Sequence, residues 1–473
     1  MLKQFKGNPG KLYNMNMKKF LILFWIGSLL SVPGVANAAD DLLYAAGLYP
    51  QDATAQEIDP LRLTPAKADE IDSMLAGTLT LEDCIRIALA HSPKAVSANL
   101  AVQEAQVQVN LARGEFLPTV SAGASQGYTV SKLDGRSTSD VGTSNAHAQA
   151  QLAISGFTDK VRAVKISKMQ LEQAELELNG QVNSIARNVK KAYYALASSM
   201  RAVDIRQKSR DLYQEQYDRS AEFYKQGLRP KVDVTTAEVN LNNEKLRLIR
   251  AQNTVKTASA NLANAMGITT PHQLQVAEVT EVEKWDIPFD EAVKTAYQNR
   301  PDILSAKTNA KIGQIRVNQA KAGYFPTFSF SAGFNKYSDD LRLDNEETKL
   351  MVSVEIPIFS AFKTYNSVKQ AQLNLEKINN SNRSLLNDVF LEVQNAYIGM
   401  QESAESIPIA QLNVTKAKEN LDLAQGRYNE GIGDIIELKD AEVAYTDAEL
   451  SLLTARYDYA AAVADLKQAM GMN

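Results

Sequence analysis

Two kinds of hydrophobic periodicity alternate along this chain, and the first of them has a period of seven. Near the C-terminus an apolar residue recurs at every seventh position, and an alanine lies three positions after each. The residues are Leu438, Tyr445, Leu452, Tyr459 and Leu466, with Ala441, Ala448, Ala455, Ala462 and Ala469. A strict heptad predicts helices that pack as a left-handed coiled coil, and the alanines allow their axes to approach closely.

The same heptad occurs earlier in the chain. It consists of Val234, Leu241, Leu248, Val255 and Leu262, with Ala237, Glu244, Ala251, Ala258 and Ala265 at the small positions. Glu244 is the one charged exception. Upstream, residues 159–226 contain no proline and predict a helix of about 100 Å at 1.5 Å per residue. We expect Pro408 to interrupt the corresponding helix of the second heptad region.

The second periodicity has a period of two and predicts β-strands. Apolar and polar residues alternate over four segments, within 120–131, 146–154, 328–334 and 350–358. The surface sheet of a soluble protein alternates in the same way, but four such segments in an exported chain favour transmembrane strands. A sheet in lipid must close on itself, and four strands are too few, so several protomers would have to share one barrel. We expect polar loops over 133–144 and 339–348.

The elements repeat because the chain contains a duplication. The sequence predicts one copy over 78–267 with a β-hairpin at 118–156, and a second over 287–473 with a hairpin at 326–359. Residues 268–286 join them. Phe116-Leu117-Pro118-Thr119 matches Tyr324-Phe325-Pro326-Thr327 at an offset of 208, and Ala265-Met266-Gly267 matches Ala469-Met470-Gly471 at 204. A period near 200 residues indicates a duplicated domain rather than a solenoid.

The N-terminal region predicts export. Lys18 and Lys19 precede an apolar run, from Phe20 to Val32, that is too short to span a membrane. The small-residue sequence Ala36-Asn37-Ala38 follows, so residues 1–38 read as a signal peptide. Residues 39–77 are an extension that we expect to be loosely ordered. The signal holds five lysines and no acidic residue, so its removal changes the net charge from −4 to −9. This charge argues against a nucleic-acid partner.

Residues that could carry chemistry are sparse. The three histidines, His91, His147 and His272, lie in separate elements without metal-ligand spacing. Cys84 is the only cysteine. It has no disulfide partner, and it is too far from the cleavage site to carry an N-terminal lipid. No glycine-rich phosphate loop occurs. We therefore expect no catalytic residue, no cofactor and no metal site, and the chain is not predicted to be an enzyme.

The chain has a duplicated pattern of helix, hairpin and long helices, a proline at the entry to each hairpin (Pro118 and Pro326) and two Tyr-x-x-Gly turns. In these features residues 77–472 resemble the TolC family of outer-membrane efflux and secretion channels. The resemblance implies a mixed, mainly α-helical fold in which three protomers form a periplasmic α-barrel. Each protomer would give four strands to a shared transmembrane β-barrel surrounded by outer-membrane lipid. It also implies two protein partners, a periplasmic adaptor and an inner-membrane transporter.

The resemblance also assigns roles at the two helix–helix turns. Tyr224, Gly227 and Gly431 match the turns where the adaptor docks, although a glycine that ends a helix already explains both glycines. Asp233 and Tyr428 match positions that link neighbouring hairpins of the closed channel, with Asp233 accepting a hydrogen bond from Tyr428. Glu437 and Asp440 match the carboxylates that ring the pore, with a solvated helix face as the alternative. An arginine that is frequent in the family two residues after the second glycine is Gly433 here.

Two questions stay open at the level of sequence. An exported trimeric coiled-coil protein with a structural or adhesive role, and without a pore, would also explain the heptads and the signal, but not the duplicated hairpins. Within the channel interpretation, the cargo could be a drug, a metal or a secreted protein, because a generic duct leaves selection to its transporter.

Overall fold

The computed structural model describes residues 77–133, 136–269, 273–277, 285–338, 343–430 and 432–472, with the backbone alone for 128–145. The predicted signal peptide and all but the last residue of the extension lie outside these ranges. In chain order the elements are β1 (Thr78–Leu79), α1 (Leu81–His91), α2 (Pro93–Gly114), β2 (Thr119–Leu133), β3 (Arg136–Ser155), α3 (Phe157–Lys225), α4 (Lys231–Ala265), β4 (Gln275–Val276), α5 (Phe289–Asn299), α6 (Pro301–Ala322), β5 (Thr327–Ser338), β6 (Asn345–Glu355), α7 (Lys363–Asn429) and α8 (Ile435–Ala469).

The chain divides into two compact units, of which one contains the described residues of 109–165 and 319–366. Its centre is an antiparallel sheet with the strand order β2-β3-β5-β6. The register gives this sheet one apolar and one polar face, because residues directly opposite each other point to the same side. Val352, Phe330 and Ile154 form one row, and Ser353, Ser329 and Ser155 form the adjacent row on the opposite face.

The apolar face of the sheet is open to its surroundings. Phe328, Leu350 and Val352 are 64%, 74% and 74% exposed. Among the described residues, β2 and β6 are edge strands, each paired on one side only. An isolated soluble protein rarely leaves so much apolar surface or two such edges uncovered.

The predicted loop at 133–144 is wrong. β2 and β3 continue their ladder to the pair Leu133 and Arg136. The expected loop at 339–348 is also too long, because β6 begins at Asn345 and pairs there with Tyr337. Polar composition indicated loops. A polar segment can equally well form a strand, because its backbone N–H and C=O groups are then hydrogen-bonded across the ladder.

The second unit contains the described residues of 63–108, 166–318 and 367–473, and it is helical. Each repeat has its own buried core, and the two cores are related by the repeat. Val189, Leu262 and Met266 in the first core match Val393, Leu466 and Met470 in the second, all less than 2% exposed. The linker adds the short strand β4, which pairs in parallel with β1, and Tyr193 donates a hydrogen bond to Ala277 O at 3.0 Å.

The heptads lie where their pattern predicts, since none of their ten apolar and ten small positions is exposed. The exceptional Glu244 is 1% exposed and forms ion pairs with Arg206 at 3.3 Å and Arg247 at 3.2 Å. The interruption expected at Pro408 is wrong, because α7 is continuous from Lys363 to Asn429. Proline removes a single backbone donor, and the buried Met400 and Ala410 hold the helix on both sides of it.

Candidate functional site at the two helix–helix turns

The turn between α3 and α4 closes in the manner of a Schellman motif. Gly227 has a φ of 73°, which an L-residue adopts only with strain. Leu228 N donates to Phe223 O at 2.9 Å and Gly227 N donates to Tyr224 O at 3.0 Å. Tyr224 is exposed at this turn. Its side chain is therefore open to contact from outside the protomer.

The turn between α7 and α8 is built around a close backbone approach. Ile432 N and Gly433 N both donate to Arg427 O, at 3.0 and 2.9 Å. A Cβ at Gly433 would lie 2.9 Å from Tyr428 N, so no larger residue fits without movement. Asp434 then caps α8 by accepting from Ile436 N at 3.2 Å. Gly431 lies outside the described residues.

Tyr428 is the centre of a small core beside these turns. Its side chain is completely buried. The cluster draws residues from α4, α7 and α8, and its members are Ala237, Leu421, Ala424, Tyr428, Ile435, Leu438 and Ala441. Phe223 packs against the tyrosine ring at a centroid distance of 6.5 Å.

The hydroxyl group of Tyr428 has a different partner from the expected one. It lies 3.1 Å from Ser220 Oγ on α3, and the described residues of the protomer contain no hydrogen bond from it to Asp233. Asp233 occupies the first turn of α4 and is partly exposed. Ser220 is therefore the partner that the hydroxyl group of Tyr428 has in this packing.

Two arginines of the first repeat bind the second turn. Arg229 Nη2 donates to Gly433 O at 3.1 Å, and its guanidinium lies 5.4 Å from the centroid of the Tyr428 ring. Arg219 donates to Asn429 Oδ1. Sequence reasoning did not select Arg229, although one signal for it was present. It follows Gly227 by two residues, which is the spacing at which the second turn has Gly433 instead of the arginine of the family.

Glu437 and Asp440 lie on an exposed flank of the first turns of α8, next to the buried Leu438 and Ala441. Each carboxylate has a cationic neighbour. Arg427 Nε is 3.2 Å from Glu437, and Lys439 Nζ is 3.3 Å from Asp440. Exposed pairs of this kind are weak, so both carboxylates stay available to other ions.

Other chemistry finds little support in the described part of the chain. Burial raises the pKa of the Cys84 thiol to about 12, so the thiolate needed for nucleophilic attack is scarce. The described residues include no cluster of three or more histidine, cysteine, aspartate or glutamate side chains suited to a metal ion. None of the described helices is both long and apolar enough to cross a membrane.

Comparison with known proteins gives consistent matches over most of the chain. The family model described as outer membrane efflux protein matches residues 84–268 and 292–472. Outer membrane protein TolC of Escherichia coli is 22% identical over 380 residues, which cover 77% of this chain and 76% of TolC. Protein CyaE of Bordetella pertussis is 24% identical over 435 residues, which cover 89% and 88%. The solved structure of CusC, described in terms of transmembrane channel formation, superposes with a TM-score of 0.73 at 19% identity, over 83% of this chain and 92% of CusC.

Proposed function

Because this chain belongs to the outer membrane efflux protein family, we propose that it is the exit-duct subunit of a tripartite efflux or type I secretion system. In this proposal it acts as a homotrimer and as a passive channel rather than an enzyme. A periplasmic adaptor and an inner-membrane transporter open it and supply the energy. The family match makes it an outer-membrane protein.

The observation that carries the proposal is the two-faced sheet β2-β3-β5-β6. Its exposed apolar face fits lipid, and its serine-rich opposite face fits an aqueous lumen. Its two edges cannot stay unpaired in hydrocarbon, because each free backbone group there costs several kcal/mol. Three protomers that pair β6 of one with β2 of the next would close twelve strands. Bacterial outer-membrane barrels start at eight strands, so twelve is sufficient.

The alternative, an adhesive or structural coiled-coil protein without a pore, accounts for the helices alone. It gives no role to a sheet with an exposed apolar face, and it gives no reason for both hairpins to join one sheet across the repeat. The contact between the hairpins is extensive, since β3 and β5 pair over ten residues, from Ala146 with Ser338 to Ser155 with Ser329.

We place the gate and the docking surface at the two turns. Glu437 and Asp440 would line the narrow end of the pore, and Asp233 and Tyr428 would belong to the contacts that hold it shut. Tyr224, Gly227 and Gly431 would form the surface that the adaptor contacts. The support for this assignment is the combination of an exposed Tyr224, an exposed pair of carboxylates and a buried Tyr428 within two adjoining turns.

Replacing Glu437 and Asp440 together with alanine tests the pore. Three copies of each would place six carboxylates near one axis, where they attract cations. We expect the double variant to lose several-fold in cation-over-anion selectivity in planar bilayers, together with most of its block by divalent cations. Reversal potentials in a salt gradient measure the first quantity, and current reduction by added Mg²⁺ measures the second.

The matched control is the double variant Glu402→Ala, Glu405→Ala, which removes two exposed carboxylates at the same spacing from α7. We expect it to behave as the parent channel. Unchanged selectivity and unchanged block in the Glu437 and Asp440 variant would place these carboxylates on an outer, solvated flank and would remove the gate from the proposal.

A further inference from the structure

The buried face of α3 changes from apolar to mostly polar along the helix. Its earlier buried positions are apolar and include Ile185, Val189 and Leu196. Towards the turn the inward positions follow a spacing of three and four residues and are mostly polar: Arg206, Ser209, Tyr213, Gln216 and Ser220. We call this second stretch the polar seam. Coiled-coil seams are normally apolar, and polar residues there reduce stability.

Helix α8 packs against the polar seam in antiparallel register. Thr446 Oγ1 lies 3.4 Å from Ser209 Oγ, and Arg206 Nη2 lies 3.8 Å from Asp447. One helical turn towards the gate, this register places Glu442 opposite Tyr213. The pKa of Tyr213 is raised by burial and then by the negative charges of Glu442 and Glu244, which agrees with that placement.

Two polar side chains at the contact between the polar seam and α8 are buried without hydrogen-bond partners. Glu442 is 6% exposed and Gln216 is 5% exposed. Within the described residues, Glu442 Oε2 and both side-chain polar atoms of Gln216 have no hydrogen-bond partner. Buried polar groups are rarely left so, because an unpaired one has lost its hydration without a hydrogen bond in return. Glu244 shows the contrast, since its burial is compensated by Arg206 and Arg247.

The charges around Glu442 do not compensate it. The titratable and charged groups that share this packing with Glu442 are Arg206 and Tyr213 on α3, Glu244 and Arg247 on α4, and Asp447 on α8. In the part of the chain that the structure describes, no cation forms an ion pair with Glu442, and Arg206 and Arg247 pair with Glu244 instead. Burial accordingly raises the pKa of Glu442 to about 7.

We propose that the polar seam is a proton-controlled joint between α3 and α8, which packs while Glu442 is neutral and loosens when Glu442 ionises and takes up water. Gln216, as a second unpaired group, gives water a further site in the loosened state. The consequence for gating rests on the proposed function, because α8 begins at the gate turn. The joint itself is a property of the helices and can be tested without a pore.

The direction of the pH effect follows from the raised pKa. In the packed seam Glu442 holds its proton up to a pH of about 7, whereas an exposed glutamate releases it near the ordinary value of 4.5. The packed state therefore binds more protons between these values, and its stability falls as pH rises through that window. Between pH 6 and pH 8.5 these two pKa values change the opening equilibrium by about tenfold.

Amide hydrogen exchange of the purified full-length protein in detergent tests the joint. We expect peptides from 205–220 and 435–450 to lose about tenfold in protection between pH 6 and pH 8.5, after correction for the intrinsic rate. Peptides from 182–197, in the apolar part of the seam, should keep theirs. In Glu442→Gln the protection of all three regions should be independent of pH.

Two further variants separate the effect of the Glu442 proton from the effect of polar side chains in general. Glu238 is the repeat equivalent of Glu442 and is exposed, so Glu238→Gln should keep the wild-type pH response. Gln216→Leu removes an unpaired amide and should raise protection at both pH values while the tenfold change remains. A wild-type protein with equal protection at both pH values, or a Glu442→Gln protein that still shows the change, overturns the proposal. Failure to find a pore in bilayers would instead count against the proposed function alone.

Discussion

A Val352→Arg variant is expected to be defective in assembly at the outer membrane. Val352 lies on the apolar face of β6, 74% exposed, in a row with Phe330 and Ile154. If this face contacts lipid, an arginine near the middle of the bilayer costs roughly 2–4 kcal/mol in each protomer. The cost arises three times in a trimer. The fraction of protein that folds into lipid vesicles, measured over a urea series, reports it directly.

The neighbouring Ser353 supplies the control. It lies on the opposite, polar face of the same strand, in a row with Ser329 and Ser155. Ser353→Arg would place its charge in an aqueous lumen, so we expect folding within about 1 kcal/mol of the parent. Equal folding of the two arginine variants would show that neither face of the sheet meets lipid, and the surface-sheet interpretation would replace the transmembrane one.

Tyr428→Ala is expected to destabilise the closed turns by about 3–5 kcal/mol, the usual range for removing a large buried aromatic side chain. The change removes the centre of the cluster, the contact with Ser220 and the surface against which Arg229 packs. We expect a higher basal conductance in planar bilayers, because the turns lose the core that joins them. Single-channel recordings without any adaptor measure this conductance.

Two substitutions separate the contributions to this effect. Tyr428→Phe keeps the ring and loses only the hydroxyl contact, which is worth about 1 kcal/mol, so basal conductance should rise little. Tyr224→Ala removes the repeat-equivalent tyrosine, which is exposed, and should leave the basal conductance unchanged. If Tyr428→Ala behaves like Tyr224→Ala, Tyr428 contributes to folding of the turn but not to closure of a pore.

Periodicity carried most of the fold prediction. The heptads ending at Leu262 and Leu466 predicted the buried seams, and the period of two predicted the hairpins at both repeats. These patterns are reliable because burial of one face imposes them on every residue of a long element. The family match confirms the mainly helical, duplicated fold and the outer-membrane localisation that the sequence indicated.

The incorrect predictions share a cause, since each used residue type without knowledge of partners. Polar residues at 133–144 suggested a loop, but Leu133 and the residues from Arg136 onward belong to paired strands. Pro408 suggested a break, but neighbouring packing keeps α7 continuous. Glu238 and Glu442 occupy equivalent places in the two repeats, yet only the second is buried. Which face a glutamate occupies depends on contacts between helices, and so does the partner of Tyr428.

The mass of the purified protein in detergent distinguishes a trimeric channel from a monomeric protein. Light scattering combined with size-exclusion chromatography, with the micelle contribution subtracted, gives the mass of the protein alone. The full chain is 52.0 kDa, so three copies with their signal peptides removed predict a single species somewhat below three times that mass. A stable, monodisperse monomer would rule out the transmembrane channel, because one protomer with four strands cannot close a barrel in lipid.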